Sequence, residues 1–295
     1  MAAGWLVKTE VTKKTEKPME VRYVPNQEAY ERLNTGELRK SFVFEDLFTE
    51  GAVRMVYCDT DRVIVGGVVP TTGPLKLEAS KKEMAAEHFT ERREIGIVNV
   101  GGSGTIHVDD KPWKLRAKDM LYVGRGKKWI SFSGDNAADP PAFYFVSYPA
   151  HREYPDSIIR SSDAEAVQLG TSEGANVRAI KKYIHTGGVK SCQLVMGLTD
   201  LAAGSIWNTM PAHTHQRRSE VYLYFGIDAE SLVVHLMGRP VESRSLIMRN
   251  RQAVISPSWS IHCGAGTRNY SFVWAMGGEN QEFSDMDPVA MTQLR

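Results

Sequence analysis

The sequence contains few cysteines, and nothing suggests that they pair. Cys58, Cys192 and Cys263 are an odd number without the regular spacing of a disulfide framework. Secreted domains that depend on disulfides carry a denser and even set. We therefore predict free thiols and a cytoplasmic protein.

Long apolar runs are also absent. Residues 62–70 (RVIVGGVVP) form one of the longest apolar runs, far shorter than the roughly 20 apolar residues of a membrane-spanning helix. Residues 1–18 have a brief apolar stretch followed by lysines, which does not match a secretory signal. Their charge and lack of apolar periodicity predict a flexible leader. We expect no membrane partner.

An excess of charge of one sign is the third missing feature. The chain has 36 lysines and arginines against 35 aspartates and glutamates. A protein that binds nucleic acid through its phosphates usually has a strong basic excess, and no helix-turn-helix pattern is evident. We therefore expect no nucleic-acid partner.

Short strands dominate what is present. Runs rich in valine, isoleucine, tyrosine and phenylalanine, punctuated by glycine, proline and aspartate, recur at roughly ten-residue spacing, which is typical of all-β sandwiches and barrels. Two such series are separated by a polar stretch. We predict an all-β protein with two tandem barrels, at 19–150 and 176–295, joined by a linker at 151–175.

Helical signals are limited to the segment that precedes the first series of strands. Helix-forming residues followed by a glycine predict one helix near 26–34 and a second, short one near 43–49. The two series also differ in chemistry, because only the second contains a His-x-His pair and a later histidine. The first barrel is therefore predicted to be structural and the second functional.

Four residues of the second series are candidate metal ligands: His213, His215, Glu220 and His262. Three imidazoles and one carboxylate can hold a divalent transition metal and leave positions open for a substrate. His213 and His215 share a face in an extended segment. Cys263 follows His262 directly, but neighbours in a strand point to opposite faces, so only one of the two should face a metal.

The strand that begins at Glu220 offers further candidates. In the segment EVYLYF, Glu220, Tyr222 and Tyr224 share one face. If Glu220 points into a barrel, the two tyrosines line the cavity beside the metal, as reactive groups or as barrel-filling aromatics.

These spacings resemble a known family. HTHQRRSE (213–220) followed by PSWSIH (257–262) is similar to the two cupin motifs, although Trp259 stands where the second motif usually has glycine. The longer strings IWNTMPAHTHQRRSEVYLYF (206–225), AVISPSWSIHCGAGT (253–267) and FVWAMGGENQ (272–281) resemble the 5-keto-4-deoxyuronate isomerase family. The resemblance extends from about residue 19 to the C-terminus.

The resemblance implies a fold, an assembly and a reaction. It implies two cupin-type barrels (double-stranded β-helices) per subunit, a homohexamer, and one divalent metal per subunit, Zn²⁺ by family, held by the four candidate ligands. The implied reaction is the ketol-isomerisation of 5-dehydro-4-deoxy-D-glucuronate to 3-deoxy-D-glycero-2,5-hexodiulosonate in pectin and uronate breakdown. The ligand set itself is compatible with zinc, iron, manganese or nickel.

Such a reaction needs a group that moves a proton between two carbons. The candidates are Glu220, Tyr222, Tyr224 and Glu279, and the sequence does not choose among them. Glu220 is occupied if it binds the metal, and Glu279 reads equally as a surface carboxylate.

The substrate carboxylate needs a cation. Arg217 and Arg218 adjoin the ligands and either can form a two-pronged hydrogen bond to a carboxylate, although both also read as exposed loop arginines. Trp207, Thr209 and Met210 precede the ligands and are expected to wall the cavity, with Met210 acting through packing.

Two alternatives stay open. Another metal cupin enzyme, either a dioxygenase or a phosphosugar isomerase, would use the same ligands, but a dioxygenase consumes oxygen and a phosphosugar enzyme favours a denser basic cluster. A sugar-binding bicupin without catalysis is the second alternative.

Overall fold

The computed structural model describes residues 19–295, so the predicted leader at 1–18 lies outside the described residues. Within them the helices are few and short, as predicted. They are Gln27–Tyr30, Thr35–Phe42 and Lys81–Met84, with 3-10 turns at Thr60–Arg62 and Met291–Gln293.

An N-terminal barrel is formed by two facing sheets. The seven-stranded sheet has the order Glu20–Arg22, Val53–Cys58, Ile64–Val68, Phe143–Pro149, Arg93–Asn99, Met120–Val123 and Ser157–Ile159. The four-stranded sheet has the order Leu75–Lys76, Ile130–Gly134, Gly104–Val108 and Lys111–Leu115. Ile97, Phe132 and Phe145 belong to the apolar core between these sheets.

A C-terminal barrel repeats this plan. Its seven-stranded sheet has the order Glu165–Leu169, Arg178–Ile184, Val195–Leu201, Ser271–Gly278, Arg218–Phe225, Gln252–Ser256 and Val43–Phe44. The facing strands are Glu242–Met248, Val233–Arg239 and Ile261–Gly266, with a separate pair formed by His213–Thr214 and Asp287–Pro288. The predicted all-β architecture with two tandem barrels is therefore present.

The large sheets of the two barrels pack against each other. The absence of a side chain at Gly277 makes room for the ring of Tyr148, because a Cβ there would lie 2.4 Å from Tyr148 Cε1. Gly96 plays the same part for Met196, whose Sδ would lie 2.7 Å from a Cβ at that position. One continuous apolar core spans both barrels. A strand in this interface is buried on both faces, and Arg218–Phe225 is buried at every position.

The N-terminal segment crosses from one barrel to the other. Val43–Phe44 pairs with the strand Gln252–Ser256 of the C-terminal barrel, so the helix predicted near 43–49 is wrong. The Tyr30 hydroxyl donates to the backbone oxygen of Met237 at 3.1 Å. Residues 27–44 therefore cover the C-terminal barrel, although the predicted boundaries assigned them to the first one.

The predicted linker at 151–175 is not a free connection. Ser157–Ile159 pairs with Met120–Val123 of the N-terminal barrel. Glu165–Leu169 pairs with Arg178–Ile184 of the C-terminal barrel. Each half of the segment extends one of the two large sheets, because a polar strand at a sheet edge pairs on one side and leaves its side chains exposed.

No helix within residues 19–295 combines the length and apolar character needed to cross a membrane.

Candidate metal centre

Three short segments bring the four candidate ligands together. Glu220 lies on the strand Arg218–Phe225 and His262 on the facing strand Ile261–Gly266. His213 belongs to the short strand His213–Thr214, which pairs with Asp287–Pro288 near the C-terminus. One ligand atom from each of His213, His215, Glu220 and His262 lies within 4.8 Å of the other three.

The distances describe a compact cluster. His213 Nε2 lies 3.1 Å from His215 Nε2 and 3.2 Å from His262 Nε2. Glu220 Oε2 lies 2.9 Å from both His215 Nε2 and His262 Nε2. Glu220, His215 and His262 are almost completely buried, whereas His213 is partly exposed.

The orientation of His215 is fixed from outside the cluster. Its Nδ1 lies 2.7 Å from the backbone oxygen of Asp285. A carbonyl oxygen only accepts, so His215 Nδ1 carries a hydrogen and, in the metal-binding form of the ring, Nε2 presents a lone pair. That lone pair faces a carboxylate oxygen at 2.9 Å. Two atoms that both present lone pairs at this distance are stabilised by a cation between them. The four ligand atoms therefore fit a divalent metal.

The charge states agree with this reading. Burial raises the pKa of Glu220, but His262 and His215 lower it by more, so the net shift is downward and the carboxyl is ionised. Burial and the neighbouring His262 lower the pKa of His213 to about 3, so that imidazole is neutral. A carboxylate and neutral imidazoles are the forms that bind zinc-type ions.

Two predicted tyrosines line the interior beside the cluster. The Tyr222 ring packs edge-on against His262, with 5.4 Å between ring centroids, and its hydroxyl lies 2.8 Å from Thr209 Oγ1. The Tyr224 hydroxyl lies 2.7 Å from His235 Nδ1. Burial raises the pKa of both tyrosines well above the usual value, so both hydroxyls are protonated at neutral pH.

His235 is a polar residue of this interior that the sequence analysis missed. It is completely buried on the strand Val233–Arg239, and burial lowers its pKa to about 3. Its Nε2 has no hydrogen-bond partner within residues 19–295. The sequence signal was weak, because the residues around His235 (VVHLM, 233–237) are apolar on both faces and show no alternation that would reveal where the histidine points.

The two candidate arginines have different environments. Arg217 is about one-third exposed and forms ion pairs with Asp285 and Asp287, with 2.8 Å between Arg217 Nε and Asp285 Oδ1. Arg218 is 1% exposed, and its Nη2 donates to the backbone oxygen of Asp285 at 2.7 Å. Arg218 Nε and Nη1 have no partner among the described residues. Neither arginine is fully exposed, as the alternative of exposed loop arginines would require.

Residues 207–210 lie along the edge of the same barrel. Trp207 forms an isolated β-bridge with Ala265, and Thr209 contacts the Tyr222 hydroxyl. Met210 packs against a small apolar cluster that includes Cys263. Of these three predicted wall residues, Thr209 is therefore the one bonded to a side chain that touches a candidate ligand.

Glu279 does not join the cluster. Its side chain is exposed and makes no hydrogen bond with any described residue. It lines a separate pocket between the barrels, together with Asp61, Gln193 and Arg218. This position fits the surface-carboxylate reading.

Cys263 and Trp259 both act in packing. Cys263 lies in an apolar cluster with Ala212 and Ile261, on the face of its strand opposite to His262. Trp259, which departs from the cupin motif, packs edge-on against Tyr30 with 5.2 Å between ring centroids. The crossing N-terminal segment therefore accounts for a large side chain at this position.

Comparison with known proteins assigns the family. A sequence model described as the KduI/IolB family matches residues 42–291, which is most of the chain. The chain belongs to the KduI/IolB family. The match includes all four candidate ligands and both barrels.

Curated relatives extend this match to nearly the full length. A Caldicellulosiruptor bescii protein named 4-deoxy-L-threo-5-hexosulose-uronate ketol-isomerase is 51% identical over 277 residues, covering 94% of this chain and 100% of the relative. A Kineococcus radiotolerans protein with the same name is 52% identical over 280 residues, with the same coverage.

Solved structures confirm the fold. An IolB-like protein from Salmonella typhimurium has a TM-score of 0.60 at 14% identity, covering 77% of this chain and 86% of its own. An oxalate decarboxylase from Lactobacillus farciminis has a TM-score of 0.58 at 11% identity, covering 85% and 89%. These likenesses support the predicted cupin-type double barrel and, at such low identity, nothing about the reaction.

Proposed function

We propose that this member of the KduI/IolB family is a 4-deoxy-L-threo-5-hexosulose-uronate ketol-isomerase. The curated relatives carry this name at about half identity over nearly the whole chain. The observation that carries the proposal within the fold is the convergence of three imidazoles and one carboxylate inside the C-terminal barrel. The reaction shifts a carbonyl along an open-chain sugar acid and needs no redox cofactor.

The metal ligands in this proposal are His213, His215, Glu220 and His262. A bound divalent ion, Zn²⁺ in our proposal, would supply Lewis-acid polarisation of substrate oxygens. The chain itself holds the ligand geometry, since the Asp285 carbonyl fixes the tautomer of His215. Burial of the cluster keeps bulk water away from the reacting carbons.

Proton transfer is assigned by charge state. Among the four predicted candidates, Glu220 is the ionised one at the cluster, and it can accept a proton there only when its carboxylate leaves the metal. Tyr222 is protonated and contacts His262, so we assign it as a hydrogen-bond donor to a substrate oxygen. Tyr224 and Glu279 are less suitable, because the first is bonded to His235 and the second is exposed elsewhere.

Recognition of the substrate carboxylate is assigned to Arg218. Arg217 is already paired with two aspartates, which raise its pKa and hold its guanidinium. Arg218 instead has two buried nitrogens, Nε and Nη1, without a partner among the described residues. Buried guanidinium N–H groups that lack a partner suit a carboxylate. Arg217 then serves to tie the 285–287 segment to the ligand strand.

The assembly and setting extend the proposal. The family resemblance implies a homohexamer and a role in pectin and uronate catabolism. The cysteine content implies a cytoplasmic location. Each stays a prediction that sedimentation, growth on pectin and cell fractionation test separately.

One experiment tests the reaction class and the substrate together. Purified protein of known metal content is incubated with 5-dehydro-4-deoxy-D-glucuronate, while the aldehyde signal is followed by NMR and dissolved oxygen by an electrode. We expect loss of the aldehyde at constant oxygen. Oxygen uptake would indicate a dioxygenase, and an unchanged substrate would indicate a phosphosugar enzyme or a binding protein.

A further inference from the structure

His235 is a completely buried polar side chain of the C-terminal barrel to which the assignments above give no role. In the pairing of Val233–Arg239 with Ile261–Gly266, Met237 lies opposite His262 and His235 lies opposite Gly264. Residues two apart on a strand share a face. His235 therefore faces the same interior as His262, one inward-facing position further along the barrel.

A chain of hydrogen bonds fixes its proton. The backbone N–H of Gly264 donates to Asn208 Oδ1 at 2.6 Å, so Asn208 Nδ2 must be the atom that faces Tyr224. Asn208 Nδ2 lies 3.4 Å from the Tyr224 hydroxyl oxygen and can only donate to it. The Tyr224 hydroxyl consequently gives its own proton to His235 Nδ1, at 2.7 Å.

The remaining proton of the ring must then be on Nε2. His235 is neutral because burial lowers its pKa to about 3. A neutral imidazole that accepts at Nδ1 carries its hydrogen at Nε2. That N–H is buried and has no acceptor within residues 19–295. Proteins seldom leave such a donor unpaired, because its desolvation is not compensated, so an unpaired one requires an explanation.

The surroundings connect this donor with the metal centre. The Tyr222 ring neighbours both histidines, with 5.4 Å between its centroid and that of His262 and 6.2 Å to that of His235. Gly264 leaves room for the network, because a Cβ there would lie 3.0 Å from the Tyr224 hydroxyl oxygen. The donor is thus held by hydrogen bonds, one inward-facing position away from His262.

We propose that His235 Nε2–H donates a hydrogen bond to a hydroxyl or carbonyl oxygen of the bound substrate, and that Tyr224 and Asn208 are positioning residues that hold it in this tautomer. The inference rests on the proposed isomerase function. An open-chain sugar acid carries oxygens on successive carbons, so one oxygen can lie at the metal ligands while another reaches His235. The contact selects for a substrate with an acceptor at that place.

The test compares four variants after metal content has been measured. H235L removes the donor and H235Q keeps an N–H near the same place. H107L changes an exposed histidine on a strand of the N-terminal barrel and serves as the control. Y224F keeps the packing but frees the His235 proton to move to Nδ1. Each is measured for kcat, KM, metal content and melting temperature.

We expect H235L to lower kcat/KM by about ten- to a hundredfold, the range for an unmade hydrogen bond to a buried partner. Metal content should be unchanged, and the melting temperature should change little, because the unpaired Nε2 donor is removed while the buried Tyr224 hydroxyl loses its acceptor. H235Q should recover part of the loss, and H107L should match the wild type. If H235L does not fold, Y224F decides, with a fall of about tenfold expected.

Two results would overturn the inference while leaving the isomerase function intact. One is a wild-type kcat/KM in H235L, or in Y224F if H235L does not fold. The other is a fall that H235Q does not relieve and that lost metal or a lower melting temperature explains in full. A wild-type protein that leaves the substrate unchanged would instead remove the proposed function, and the role of His235 with it.

Discussion

At the scale of single residues, the candidate centre depends on which atom of each side chain is left free. The Asp285 carbonyl occupies Nδ1 of His215 and leaves Nε2 for the cluster. The Tyr224 hydroxyl occupies Nδ1 of His235 and leaves Nε2 for the interior. The hydrogen bond at Nδ1 thus decides what Nε2 does in each histidine of this barrel. Nε2 accepts in His215 and donates in His235.

The sequence could predict the four-residue cluster but not the hydrogen bonds at Nδ1 of His215 and His235. His-x-His, Glu220 and His262 form a pattern whose chemistry is readable from residue types and spacing. The partners of Arg217 lie 68 and 70 positions further along the chain. No local pattern relates such distant residues, so the sequence treated Arg217 and Arg218 alike although their environments differ.

The two arginines give the residue-scale prediction. R218Q should raise KM by about tenfold or more, since it removes the charge-assisted hydrogen bonds that we propose to the substrate carboxylate. R217Q, the matched control, should change KM much less, because its guanidinium is held by Asp285 and Asp287. Steady-state kinetics on preparations with equal metal content measure both. Equal KM values in R218Q and the wild type would mean that another residue binds the substrate carboxylate.

At the scale of elements, the strand Arg218–Phe225 links the candidate metal centre to the rest of the molecule. One face carries Glu220, while the other packs on the N-terminal barrel. Asp61 of the N-terminal barrel accepts a hydrogen bond from the Ser219 N–H at 2.9 Å, next to Glu220. The first barrel therefore helps to support the ligand strand, although it contributes none of the four clustered ligands.

The strands were predictable because their pattern is local, and the two barrels were predictable because the strands fall into two series. The crossing of residues 27–44 was not, because helix caps and apolar runs do not reveal which barrel an element joins. Asn34 illustrates this, since its capping box with Glu37 explains where a helix begins and says nothing about its neighbours. The pairing of Val43–Phe44 with Gln252–Ser256 is decided by tertiary packing.

The element-scale prediction concerns the contact between the two large sheets. G277A should destabilise the protein by about 1–3 kcal/mol, because the added methyl group would overlap the Tyr148 ring in a closely packed interface. G73A is the matched control, since nothing lies within 4 Å of a Cβ there. Urea unfolding measures both free energies. Equal stability of the two variants would mean that the sheets are not closely packed at Gly277.

At the scale of the whole molecule, the barrels are joined by a buried carboxylate as well as by apolar packing. Glu94 of the N-terminal barrel is completely buried and accepts backbone N–H groups from Cys192, Gln193 and Leu194. The Tyr122 hydroxyl donates to it at 2.8 Å. With its donors in place, this carboxylate fixes the turn at 192–194 of the second half against the first half.

Removal of this carboxylate gives the prediction at that scale. E94A should lower the free energy of unfolding by at least about 2 kcal/mol, because several buried N–H groups lose a charged acceptor. Y122F removes one donor and should lower it by about 1 kcal/mol. Both barrels should still unfold in a single transition, since they share one core. A wild-type unfolding curve for E94A would remove Glu94 as the link between the barrels.

The most direct test of the central claim is turnover as a function of metal content. The protein is stripped with a strong chelator, assayed for residual metal, and titrated with Zn²⁺ while isomerisation of 5-dehydro-4-deoxy-D-glucuronate is followed by NMR. We predict that turnover disappears with the metal and returns in proportion to bound zinc, reaching a plateau at one ion per chain. Undiminished turnover by metal-free protein would contradict the account.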